Sequence, residues 1–143
     1  MQAKRTQCGA ALVEFALVAS LLFLVLFGII EFGLLFADRA TLGLAAREAA
    51  RSAALGTKIG DVSKRAVGSA TGLSLTPANV TLEKSADSGA TWTALGDAGT
   101  TNDATPRDLI RATVTYAHPL ITGLIFTGTT KTLTAQAVMQ REP

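Results

Sequence analysis

The chain has 143 residues, 48% of them hydrophobic, with 13 Lys and Arg against 11 Asp and Glu. That length holds one domain plus an anchor, not two domains. The cations are spread thinly, which excludes a nucleic-acid surface, because such a surface clusters cations to displace counterions; a single cysteine, Cys8, excludes an intrachain disulfide.

In chain order, residues 1–9 form a basic leader carrying Lys4 and Arg5. Beyond the leader the side-chain charges balance at 11 against 11. Cys8 precedes the apolar run, unlike a lipoprotein cysteine, which follows one. From Gly9 to Ala37 only Glu14, Ser20 and Glu31 are markedly polar. Residues 10–30 would span about 31 Å as a helix, against a hydrocarbon core of about 30 Å. The run is too long for the apolar region of a cleaved secretory signal, and nothing else in the chain could wrap it as a core helix. Residues 10–36 therefore read as a transmembrane helix. Lys4 and Arg5 favour a cytoplasmic N-terminus, which places residues 37–143 on the far side of the membrane.

No breaker follows. Leu42, Ala45, Ala46, Ala49, Ala50, Ala53 and Ala54 share one helical face, with Arg47, Glu48, Arg51 and Ser52 opposite. Glu48 and Arg51 are spaced to pair. Gly56 suits a C-cap. Anchor and stem (37–55) are thus expected to form one helix of about 45 residues, near 70 Å long. Residues 60–70 predict a short second helix with Asp61 as N-cap and Gly72 as its stop. Val80, Leu82 and Lys84 open a strand, Asp87-Ser88-Gly89 signals a turn, and Thr91-Trp92-Thr93 is a return strand. Trp92 reads as a side chain packing on the helix, with an exposed binding aromatic as the alternative. Residues 96–106 read as a loop. Ile110, Ala112, Val114 and Tyr116 alternate with Arg111, Thr113 and Thr115, and Leu133, Ala135, Ala137 and Met139 share a face of the last strand. The predicted fold is α+β: a long N-terminal helix packed on a small antiparallel sheet of three or four strands, about 78–140.

An ionisable residue in hydrocarbon is by default a functional hypothesis. Glu14 is either that or a hydrated carboxylate at headgroup level, and position alone does not separate the two. Ala16 and Ser20, four apart, permit close helix contact in lipid. Glu31 is either interfacial, with the membrane ending near Ile30, or an interhelical polar contact in an assembly. Gly28 and Gly33 flank it and would loosen the helix there. Enzymatic readings fare poorly. His118, the sole histidine, is next to Pro119 at a strand end. Asp87, Asp97, Asp103 and Asp108 lack the spacing of a calcium loop, and there is no Gly-rich phosphate loop. The sequence offers no catalytic residue, no metal ligand set and no cofactor motif.

Three blocks carry a resemblance. Lys4 and Arg5 followed by Gly9-Ala10-Ala11-Leu12-Val13-Glu14-Phe15 resemble a class III signal of the type IV pilin superfamily, cut after the glycine by a prepilin peptidase. That block, then Phe27-Gly28-Ile29-Ile30-Glu31-Phe32-Gly33, then Ala45-Ala46-Arg47-Glu48-Ala49-Ala50-Arg51, is similar to the TadE-like pseudopilins of tight-adherence (Tad) systems. Leu133 to Met139 also fits that family's last strand, while residues 73–106 match no motif. The resemblance implies a pilin-like fold and processing at Gly9–Ala10. It implies prepilin peptidase, other pilin and pseudopilin subunits, inner-membrane platform proteins and the lipid bilayer as partners. It also implies that Glu14 pairs with the new Ala10 amine of a neighbouring subunit, fixing register. The expected role is pilus assembly, secretion or adhesion. The alternative is an unprocessed single-pass protein whose outer domain binds a ligand or another envelope protein.

Overall fold

The structure, a computed structural model, describes residues 3–121 and 128–143, with side chains from residue 9 onward. Helix α1 (Ala3–Ala54) runs unbroken for 52 residues, about 78 Å at the standard rise. It extends the expected helix back through the leader. Gly28 and Gly33 do not interrupt it.

Its C-terminus is closed twice. Gly56 takes a left-handed φ of +86°; its N–H donates to Ala53 O (2.9 Å) and that of Thr57 to Ser52 O (3.2 Å). This is the Schellman pattern that glycine permits. Distant residues then add further donors to the carbonyls at this end. Asn102 Nδ2 donates to Ala53 O (2.7 Å) and Thr57 O (3.0 Å), and Arg141 Nη1 to Ala54 O (2.8 Å).

Helix α2 (Ile59–Ser69) turns Val62 and Ala66 into the core. Asp61 is not its N-cap. It lies inside the first turn, where its carboxylate meets Lys64 at 3.6 Å on an exposed face, a pair worth a few tenths of a kcal/mol at most. The capping carboxylate comes from Asp97, whose Oδ1 accepts from the Ile59 N–H at 2.9 Å.

Strands β1 (Val80–Ser85), β2 (Thr93–Ala94), β5 (Leu109–Pro119) and β6 (Thr130–Gln140) form an antiparallel sheet in the order β2-β1-β5-β6. Between them β3 (Asp97–Ala98) and β4 (Thr101–Asn102) pair as a small hairpin, so residues 96–106 are not simply a loop. The register sets Leu82 against Ala112, Ala112 against Ala137 and Ile110 against Met139. This places the alternating apolar side chains on one face. The alanine stripe of α1, fully buried from Ala45 to Ala53, lies against that face with Val62, Ile110 and Val114. Small side chains let helix and sheet approach closely, while each buried Ile, Val or Leu contributes about 1.5–3 kcal/mol.

Two sequence expectations fail by rotation. Ser52 is buried, not on the wet face. It lies seven residues after Ala45 and so shares the core stripe; its Oγ has no partner among the described residues. Trp92 does not pack on the helix. Its ring lies 4.2 Å from the Arg111 guanidinium, which also pairs with Glu83 at 2.6 Å. Arg111 and Glu83 are register partners on the outer face, opposite Ile110. No Glu48–Arg51 ion pair forms among the described residues.

Candidate functional site

From Gly9 to Phe27 nearly every α1 side chain is exposed, including Leu12, Phe15, Leu21, Phe23 and Phe27. An apolar helix surface left bare by its own chain needs another apolar environment. Burial begins at Gly28 and continues at Glu31, Leu35 and Leu42. Between Glu31 and Leu42 the helix lies along the β5–β6 hairpin. Three polar contacts fasten the two elements. The Ile121 N–H donates to both carboxylate oxygens of Glu31 (3.1 and 3.2 Å). His118 Nδ1–H donates to Asp38 Oδ2 at 2.6 Å. Arg39 Nη1 donates to Thr134 O at 3.3 Å on the outer edge of β6.

The predicted site residues separate along α1. Lys4, Arg5 and Cys8 lie outside the described side chains. A Cβ at Gly9 would meet nothing within 4 Å, so the fold itself imposes no glycine there. Ala10 and Glu14 are exposed, and Glu14 has no partner among the described residues. Glu31 is 1% exposed and lies about 25 Å further along the axis. The two carboxylates are not brought together. One is turned outward from the chain; the other is held by it.

The His118–Asp38 contact was not legible in the sequence. The partners are 80 positions apart, and only the β5–β6 hairpin lying along α1 unites them. His118 Nε2 is buried without a partner among the described residues. No cluster of three or more His, Cys, Asp or Glu suited to a metal ion occurs among them.

At the opposite end of the domain, Lys84 bridges to Asp103 at 2.8 Å, and the Gly96 N–H donates to the same carboxylate at 2.8 Å. The hydrogen bond from Lys84 is the main cause holding Asp103 below its ordinary value of 3.8, against a smaller opposing effect of burial. Ser85, then Thr91, likewise hold Asp87 well below the carboxylate range. A depressed folded value means stability that is present above the unfolded value and lost as pH falls through the folded one. The stability that these carboxylates contribute is therefore expected to fall away on an acid limb below pH 3.8. Asp103→Asn should flatten that acid limb, as read by circular dichroism against pH.

This arrangement defines a class: a small α+β head carried on one long helix whose first half is apolar and bare. Among the described residues α1 is the helix long and apolar enough to cross a membrane. Residues 9–51 match the model of the family described as TadE-like protein. The match lies wholly within α1 and takes in Gly9, Glu14, Glu31 and the Ala45–Arg51 block, so the resemblance carried by those motifs is found independently over the same helix. No curated protein and no solved structure matches the chain.

Proposed function

We propose that this chain is a minor pilin or pseudopilin that takes part in assembling a Tad-type pilus or secretion apparatus. It is held in the bacterial inner membrane by α1, with its N-terminus cytoplasmic and residues 37–143 outside. Its role is structural, without catalysis. Prepilin peptidase cuts between Gly9 and Ala10, and the mature helix then meets other pilin subunits and the platform proteins of the membrane. The observation that carries this reading is the TadE-like match over 9–51 falling on a helix whose first half is exposed and holds one outward carboxylate, Glu14. A helix satisfied by its own fold would have no such surface to offer.

The test uses Gly9, where the space around the Cβ position is open. Gly9→Trp should leave the fold intact and yield a membrane-bound precursor larger by the nine leader residues. Wild-type protein should begin at Ala10 on N-terminal sequencing. A Gly9→Trp protein of normal mature mass would remove the processing site from this reading, and a wild-type start at Met1 would favour an unprocessed anchor.

A further inference from the structure

We infer that Ile121, just beyond the end of β5, enters the bilayer beside α1, so that α1 and this described end of the hairpin anchor the protein together. The partner is the same lipid that holds the span, and the inference rests on that anchoring reading. The height of Ile121 along α1 is fixed, because its N–H is bonded to Glu31. The bilayer can be positioned in two limiting ways: one brings its hydrocarbon core to within a few ångströms of this height, the other well past it. A hydrocarbon core of about 30 Å takes about 20 helical residues. If it starts at Ala10 it ends near Ile29 or Ile30, within a residue or two of Glu31. If it ends instead at Phe36, the last of the large exposed apolar side chains before Asp38, Ile121 lies about 7–8 Å inside it.

The exposed surface supports this placement. Ile121 is 62% exposed, and Ile29, Ile30, Phe32, Leu34 and Phe36 are exposed on α1 at neighbouring heights. Ile121 thus adds an exposed apolar side chain at a height where those of the span continue. The first charged side chain of α1 beyond Glu31 is Asp38, paired with His118 about 10 Å higher, where headgroups and water begin. No charged residue occurs between His118 and Lys131 in the sequence.

The polar groups are also disposed for lipid. Backbone amides in hydrocarbon must be satisfied internally, and a buried carboxylate is costly without hydrogen bonds. Glu31 and the Ile121 N–H meet both requirements at once. The Leu120 N–H donates to Thr129 O at 3.0 Å, which closes the next rung of the hairpin.

Nitroxide labels on the full chain in phosphatidylethanolamine–phosphatidylglycerol liposomes test this. The background is Cys8→Ser. Labels are placed at Ile121→Cys, at Leu22→Cys in the bare span, and at Thr100→Cys on the exposed β3–β4 turn. Labels at 121 and 22 should both collide with oxygen several-fold more often, relative to a water-soluble nickel complex, than the label at 100. If position 22 behaves as lipid-immersed while 121 matches 100, the hairpin inference is overturned and the anchor stands. If 22 also matches 100, the anchoring reading falls and takes the inference with it.

Discussion

Glu14→Ala is expected to insert into the membrane and to be cleaved, yet to be lost from complexes with the other pilus subunits and to leave cells without filaments. Glu14 is exposed on the bare half of α1 and has no partner among the described residues. Taking an unpaired carboxylate into hydrocarbon costs several kcal/mol or forces its protonation. Alanine at this position would insert more readily, so membrane stability gives no reason for glutamate. On the proposed reading the reason lies in a partner of opposite charge. If the proposed cleavage occurs, it would free the Ala10 amine of a neighbouring subunit, about 6 Å along the helix axis from the level of Glu14, as the nearest such group when helices stack with a small offset. Breaking a buried pair by removing one partner is costlier than never having built it. Glu14→Asp should be intermediate, because the charge remains but its reach shortens. Co-purification and filament counts by electron microscopy read the result. Normal assembly by Glu14→Ala would remove the register role and leave a hydrated interfacial carboxylate.

Asn102→Ala is expected to cost the head domain about 2–4 kcal/mol, since each orphaned buried polar group costs about 1–3 kcal/mol. The side chain is 2% exposed. Its Nδ2 donates to Ala53 O and Thr57 O, and its Oδ1 accepts from the Ala104 N–H at 3.2 Å. One amide therefore closes the end of α1 and pins the β3–β4 hairpin against it. Thermal unfolding in detergent should shift down by about 10 °C or more, whereas Thr101→Ala, on the exposed neighbour, should change little. A shift of under about 2 °C for Asn102→Ala would mean that water replaces the amide at the helix end.

The parts of this fold written in the sequence are those with a period. The alanine stripe repeats at helical spacing, and Ile110, Ala112 and Val114 alternate at strand spacing, so both core faces were readable before any contact was known. Gly56 was readable too, because a left-handed helix end favours one residue type. What was hidden depends on long-range contacts. Asp61 and Asp97 have equal claims as helix caps on chemistry alone, and only the path of the β3–β4 hairpin brings Asp97 to Ile59. Strands of two residues are too short to show alternation, so β3 and β4 looked like loop. The face taken by Trp92 follows from the pairing of Glu83 with Arg111, which no local pattern announces. At the candidate site, Gly9 and Glu14 stood out because they contrast with the apolar residues beside them. The bond from the Ile121 N–H to Glu31 could not stand out, because it comes from a backbone amide 90 positions away.

The continuity of α1 has a mechanical consequence. A rod without a joint transmits torque as well as tension. Each residue of an α-helix advances about 100° and 1.5 Å, so the compass bearing of the head is locked to that of Glu14. Glycines at 28 and 33, the natural places for a swivel, lie within an unbroken helix. Any neighbour that grips the bare half therefore also chooses which side of the sheet faces outward. A one-residue insertion near Phe27 would lengthen the shaft by little more than an ångström, yet swing the Trp92–Arg111 face about a quarter-turn out of phase with the anchor.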